Sequence, residues 1–488
     1  MKQIRKKTLD KATESVITRA ALAGTPLVFD RYEDMSPVCR FGQVGLDCKA
    51  CTQGPCRINP FDPSNGTICG RQREDIVAAS FLSMVSAGAA ANAAFSGAQA
   101  QVAATIFEGM LLANEGNGSS SQMLEKALEV ATAGFDALGQ AKAGSPAPAK
   151  REVGLGALVA DKINVLMIGS IPAAQAQGIA AELKSNPKVN LVGAVGGEIA
   201  GLPAAANYNG QEALLVTTGV DAVIAGKVCV SPAFLSLAAK QGVPVASAEG
   251  FDAATLLAAA DVHFRTNQGR NIAEKLPSTP AVMGFGAGSF AGISDEVWQR
   301  LASMGIKGVA LLGGCNNVVT TQDAVAGRQT EEFLSKGVLV VASGCASVGL
   351  AKAGYMNPVR RSALAGSKLE PFLAALSEAA GVEIPAVLDA GSCWELPVAL
   401  ELAQLLQKKL GVPMVAAMPE LSRPASWSAA LAVAGRGIPT YVGPILPLDG
   451  GMATVSTLNE LLGSKGGALV GPGQVSSPEG VVNLVLDA

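Results

Sequence analysis

The segment GLDCKACTQGPCR, residues 45–57, places Cys48, Cys51 and Cys56 within nine positions, and Cys69 follows after twelve intervening residues. Thiolates are soft donors suited to iron, and an iron–sulfur cube presents four irons that each need a cap. Cys-x2-Cys-x4-Cys with a fourth cysteine downstream is iron–sulfur spacing. A structural zinc uses the same thiolates, but usually as two paired knuckles. The expected occupant is a [4Fe–4S] cluster, with Gly54-Pro55 letting the loop turn around its inorganic core.

Five further cysteines complete the nine in the chain. Cys39 stands alone. Cys229, Cys315, Cys345 and Cys393 each follow the same kind of stretch: DAVIAGKVC, GVALLGGC, VLVVASGC and AVLDAGSC. In every case an apolar strand candidate ends, small residues follow, and a thiol comes next. Ligands of open α/β sheets bind beyond the carboxyl ends of strands. Four thiols at four such ends are expected to converge on one cleft and hold a second cluster. The alternative is that they are buried free cysteines acting as small hydrophobes.

The elements that must position these thiols follow from composition and rhythm. The chain has 488 residues, too many for one ordinary core. It is rich in alanine and glycine but only 4% aromatic and 16% charged, which suits close packing around small side chains. Residues 74–114 and 120–142 carry helical periodicity. KAGSPAPAKREVG (142–154) reads as a linker. Strand–helix alternation follows, in INVLMIG, VNLVGAVG, DAVIAG and VPVASAEG. A second boundary falls at NIAEKLPSTP (271–280), and AVMGFG, GVALLGG, GVLVVASG, PAVLDAG, VPMVAAM and IPTYVGP continue the pattern. The expected fold class is α/β: a helical domain with the cysteine loop over 1–150, then α/β domains with parallel sheets over 155–275 and 276–488.

A net charge of −3 supplies no basic footprint for nucleic acid or anionic lipid. The basic start lacks the apolar core and cleavage site of a secretory signal. The stretch ASFLSMVSAGAAANAAFSGAQAQVAATIF is interrupted by Asn92, Gln99 and Gln101, so a buried helix or helix pair is expected rather than a membrane span. A cytoplasmic location is expected, where nine cysteines argue for metal or redox chemistry rather than disulfides. The glycine-rich tail LLGSKGGALVGPGQ is not a dinucleotide fingerprint after a strand.

CRFGQVGLDCKACTQGPCRI, AGAAAN, GGCNN, SGCASVGLAKAG, AGSC and MPE together resemble the anaerobic nickel–iron carbon monoxide dehydrogenases, a family related to the hybrid cluster proteins. The resemblance runs from about residue 37 to about residue 447 and implies a helical domain followed by two Rossmann-like domains, in a homodimer, with a ferredoxin-like electron partner. It implies that Cys48, Cys51, Cys56 and Cys69 hold a relay [4Fe–4S] cluster. It also implies that Cys229, Cys315, Cys345 and Cys393 hold the active-site cluster.

The departures from that family are as specific as the matches. Ser170 stands where the resemblance implies a histidine ligand, and Gly196 where it implies a cysteine. Asn92 replaces a helical histidine, and Ala425 a catalytic lysine. Glu198 resembles the glutamate ligand of the hybrid cluster proteins; its alternative is a loop carboxylate facing water. The single histidine, His263, matches none of these positions and reads as structural. A relay of imidazoles is therefore impossible in this chain, and acid–base groups are worth orders of magnitude in rate. In the family's inter-subunit cluster, Cys39 matches the first ligand but Asp47 stands at the second. Either Asp47 gives an oxygen ligand, or two Cys39 thiolates form a different cluster, or none forms.

The leading expectation is an iron–sulfur oxidoreductase with a variant Fe–S or Fe–S–O centre. It would act on a small molecule such as hydroxylamine, without normal CO/CO2 activity and without a normal nickel–iron site. The alternatives are a true nickel-dependent carbon monoxide dehydrogenase and a non-enzymatic iron–sulfur electron-transfer protein whose second site is a saturated [4Fe–4S] cube.

Overall fold

The computed structural model describes residues 5–487 except 60, 61, 63–65, 142–146, 197, 199 and 200. The chain forms two compact units, each assembled from separated segments: 1–34, 142–414 and 485–488 in one, 35–141 and 415–484 in the other.

The first unit holds a seven-stranded sheet. Its order is Val245–Ser247, Ala222–Ala225, Ile163–Ile168, Val189–Ala194, Ala204–Ala206, Ala149–Val153, Thr279–Met283. All neighbours are parallel except the last two strands, which run antiparallel. Every residue of Ile163–Ile168 is buried, as a parallel strand covered on both faces requires. The same unit carries three more parallel neighbours, Val387–Asp389, Val338–Ala342 and Gly308–Leu312, whose residues are also all buried. The α/β architecture and parallel sheets expected from the alternation are present.

Two boundaries differ from the sequence reading. Within the linker expected over 142–154, residues 142–146 lie outside the described residues, but Ala149–Val153 is a strand. Its charged AKREV sequence suits a position near the sheet's edge rather than its centre. The expected boundary at 271–280 runs directly into Thr279–Met283, which closes that same sheet.

The second unit contains the helical region. The stretch read as helical over 74–114 is two helices, Arg73–Ser96 and Gln99–Asn114, divided at Gly97, whose φ of 77° ends the first. Ser120–Gly139 follows, with a capping box between Ser119 and Gln122. Small residues set the packing: a Cβ at Gly134 would lie 2.6 Å from the Cα of Ala89, and one at Gly109 would lie 2.8 Å from the Ser86 hydroxyl. The abundance of alanine and glycine is thus spent where helix backbones approach closely. Pro424–Ala434 packs on Arg73–Ser96 in the same way, with Gly88 against the Pro424 carbonyl. Gly88→Ala would place its methyl 2.6 Å from the Pro424 carbonyl carbon and 2.8 Å from the Ser428 Cβ. It is expected to destabilise this unit by about 2–3 kcal/mol, measured by denaturant unfolding. Strands Met414–Met418, Pro439–Val442 and Ala468–Val470 are parallel neighbours. Among the described residues one helix, Arg73–Ser96, is long and apolar enough to cross a membrane, and most of it is buried inside the unit.

Candidate functional site

Three of the four late cysteines lie just beyond the carboxyl ends of adjacent parallel strands: Cys315 after Gly308–Leu312, Cys345 after Val338–Ala342 and Cys393 after Val387–Asp389. Cys229 follows Ala222–Ala225 of the larger sheet, in the same unit. Backbone bonds tie the three neighbouring ends together: Ser343 N donates to Leu312 O, Gly344 N to Gly391 O, and Ala390 N to Ala342 O, at 2.8–3.0 Å. The Ser343 hydroxyl donates to Ser392 O at 2.8 Å. Gly344 sits at φ 73°, a conformation side chains rarely adopt, and a Cβ there would press on the Cys393 Cβ at 3.1 Å and Gly314 O at 3.3 Å. A glycine before Cys345 is what brings these thiol-bearing turns together.

The thiols sense one another. Burial pushes the Cys345 thiol well above its usual pKa, and the charges of Cys315, Glu198 and Cys229 add to the rise. Cys393 is raised for the same reasons: burial first, then Cys229, Cys345, Cys315 and Glu198. Buried and half-buried thiols beside a buried carboxylate oppose one another's ionisation. A cationic inorganic core removes that conflict by taking them as ligands. Among the described residues, no group of three or more His, Cys, Asp or Glu converges as a single metal ion demands. A four-iron cube is capped at four separate irons, so its thiolates need not meet at one point, and the donor set fits such a core.

The positions that depart from the expected ligand set are packed for what they are. Ser170 N donates to Val228 O and Val228 N donates to the Ser170 hydroxyl, both at 3.0 Å. Ser170 therefore clamps the turn that carries Cys229, whose own φ is 66°. Gly196, at φ 95°, faces the Trp394 indole, and a Cβ there would come within 2.8 Å of its Cδ1. Gly196→Cys is thus expected to cost about 2–4 kcal/mol in chemical unfolding and to add no ligand, with unchanged metal content as the readout. Glu198 is buried, and its Oε2 accepts from Gly196 N at 2.8 Å. Burial raises its pKa to about 7.

Behind Glu198 lies an enclosed cavity of ≈ 10 Å3, room for about one water. Arg151, Asp389 and Glu395 share it with Glu198. Burial raises Glu395 to about 8 and also raises Asp389, while it lowers Arg151. Asp389 accepts from Gly284 N at 3.0 Å and from the Ser347 hydroxyl. Sequence reasoning missed this carboxyl group of three. Asp389 sits in the strand before Cys393 and Glu395 two residues after it, a proximity visible in LDAGSCWE but not singled out.

Sequence reasoning also missed a buried ion cluster. Lys352, at the far end of the helix Gly344–Lys352 that carries Cys345, lies 2.7 Å from Asp323 and 3.6 Å from Asp10. Asp323 also accepts from Asn207 at 2.7 Å and from Asn316, next to Cys315, at 3.4 Å. The doublet in GGCNN was its one sequence signal.

In the other unit, Cys48 and Cys56 face each other across a two-residue antiparallel pairing, Asp47–Cys48 with Cys56–Arg57. Cys51 lies on the exposed turn between them, and exposed Cys69 is 3.2 Å from the Thr67 hydroxyl. That hydrogen bond, with one from the Arg71 backbone, lowers the Cys69 pKa and favours a thiolate. Cys39 is exposed ahead of the short helix Arg40–Gln43. The Asp47 side chain is only 4% exposed and lies 3.2 Å from Lys49 Nζ. Asn92 is buried, and its amide donates to the carbonyl of Ala425 at 3.4 Å. The two positions where acid–base side chains were implied therefore touch, and neither side chain exchanges protons near neutrality. His263, in the first unit, is 3.2 Å from Asp221, whose second oxygen accepts from Asn164 N at 2.9 Å. It joins a buried structural network, as read from the sequence.

Carbon monoxide dehydrogenase 2 of Carboxydothermus hydrogenoformans is 26% identical over 93% of this chain and 93% of its own length. The carbon monoxide dehydrogenase of Rhodospirillum rubrum is 25% identical over 92% of this chain and 93% of its own. The solved structure of Carbon Monoxide Dehydrogenase IV from C. hydrogenoformans superposes with a TM-score of 0.86, at 22% identity and 99% coverage of both chains, and shares the fold. Residues 92–472 match the Prismane/CO dehydrogenase family, and the chain belongs to that family.

Proposed function

We propose that the protein is a cytoplasmic iron–sulfur oxidoreductase whose late cysteines hold a variant active-site cluster. The observation that carries this reading is the placement of Cys315, Cys345 and Cys393 just beyond three adjacent strand ends, with Cys229 and Glu198 near enough for their charges to raise the Cys345 and Cys393 thiols. Cys48, Cys51, Cys56 and Cys69 would hold a relay [4Fe–4S] cluster at the surface, where a ferredoxin-like partner delivers or takes electrons. When bound, the buried centre supplies redox equivalents and an open iron position for a small oxidised molecule such as hydroxylamine. Glu198 offers an oxygen donor to it, making an Fe–S–O centre in place of a normal nickel–iron one. Ser170 holds the Cys229 turn rather than binding metal, and Trp394 occupies the space a cysteine at 196 would need. Asn92 and Ala425 give no proton, so normal CO/CO2 interconversion is not supported. The protein works as a homodimer. The buried, lysine-paired Asp47 leaves Cys39 as the more accessible donor at any shared cluster.

The named relatives, aligned over nearly their whole length, favour a second reading: a nickel-dependent carbon monoxide dehydrogenase with relocated ligands. Metal analysis of anaerobically purified protein, anomalous scattering at the iron and nickel edges and a carbon monoxide oxidation assay separate the two. Iron at both cysteine groups without nickel or carbon monoxide oxidation is the expected result. About one nickel per chain with carbon monoxide oxidation establishes the second reading. Late thiols with no iron between them overturn both.

A further inference from the structure

On the surface of the first unit lies a cavity of about 470 Å3 whose floor is the Lys352 ion cluster described above. Its size is that of a small-molecule pocket. Its walls carry four cations, Lys11, Arg328, Lys352 and Arg360, against three carboxylates, Asp10, Asp323 and Glu331. The net charge of +1 is unevenly divided, −1 on the floor and +2 among the remaining groups. Lys352 is consumed by Asp323 and Asp10, at 2.7 and 3.6 Å, deep in the floor. Glu331 accepts from the Tyr355 hydroxyl at 3.0 Å. Burial and Glu331 raise the Tyr355 pKa, so the phenol keeps the proton it donates to Glu331.

Three cations and the Glu331 carboxylate are left at the mouth. Neither Lys11 nor Arg328 makes an ion pair among the described residues, and Arg360 spends one guanidinium nitrogen on the Ala353 carbonyl at 2.7 Å. That contact holds the Arg360 fork across Gly354, where a Cβ would lie 3.0 Å from its Cδ. Arg328 and Glu331 are three residues apart on the helix Ala324–Ser335 and so line the pocket from one face. Guanidinium forks match the planar or tetrahedral oxygens of carboxylates and phosphates.

We propose that this pocket binds a small dianionic oxyanion, with Arg328, Arg360 and Lys11 as its cationic clamp and Tyr355 and the Lys352–Asp323 pair as its floor. It is a ligand site separate from the cysteine centre and does not depend on what metal that centre holds. A phosphate ester and a small dicarboxylate share the recognised chemistry.

Isothermal titration of the purified, metal-loaded full chain tests it, with inorganic phosphate and succinate as probes at constant ionic strength set by chloride. One saturable site per chain is expected for at least one probe. Preference for phosphate assigns a phosphorylated ligand, and preference for succinate a carboxylate one. Arg328→Gln with Arg360→Gln is expected to weaken binding by about tenfold or more. Arg328→Glu, which changes one exposed side chain only, should abolish it. Unchanged thermal unfolding without probe shows that both variants are folded. Absence of a saturable signal at millimolar probe, or equal affinity in the folded variants, overturns the proposal.

Discussion

Cys345→Ser is expected to strip the buried centre while sparing the surface one. Iron content should fall by roughly half, and one of two reduced-state magnetic resonance signals should disappear. The size of the effect follows from the site. Cys345 is 7% exposed and lies in the first turn of its helix, so no other soft donor can move in from solvent. A serine hydroxyl is a hard donor that stays protonated, a poor cap for iron. The polypeptide should tolerate the exchange, because sulfur and oxygen differ little in volume. Loss of iron without loss of fold is therefore the signature, read by metal analysis alongside circular dichroism. Full iron and both signals in the variant would remove Cys345 from the ligand set.

The second large effect is expected at a residue that touches no candidate ligand. Lys352→Met should destabilise the protein by about 3–5 kcal/mol, because it leaves Asp323 and Asp10 buried without their cation. The lysine and Asp323 side chains are each 7% exposed, so water cannot replace the lost partner. Asp323 is doubly constrained, sitting at φ 67°, with Gly349 so close that a Cβ there would lie 2.6 Å from its Oδ1. Asp323→Asn should cost less than Lys352→Met, since asparagine tolerates that backbone region and can still accept from Asn207. Urea unfolding of the two variants checks the order. Equal losses would mean that charge is not what holds the Cys315 and Cys345 segments together.

What the sequence disclosed depended on the range of the physics. The late cysteines could be placed because a short apolar run, a glycine or serine and a thiol are neighbours in the chain, and strand-end geometry is local. The helices of 73–139 were legible for the same reason, although Gly97 had to be seen to split the first of them. Ala149–Val153 was lost because a strand next to the sheet's edge, with Lys150, Arg151 and Glu152, lacks the apolar signal of its central neighbours. The reasons for Ser170 and Gly196 were not legible at all. One depends on Val228 and the other on Trp394, partners brought near only by folding. Lys352 in AKAG reads as an ordinary helix end until Asp10, more than three hundred residues earlier, folds beside it.

The discontinuous make-up of the second unit has a consequence for biogenesis. All four late thiols and Glu198 have been synthesised once residue 414 is added, and their unit then lacks only residues 485–488. Residues 35–141, with the earlier cysteine loop, must wait for 415–484 before their own unit can close. The thiols nearest the amino terminus therefore wait for residues that are made after every late thiol. Cofactor delivery to the early group must outlast the synthesis of the late one.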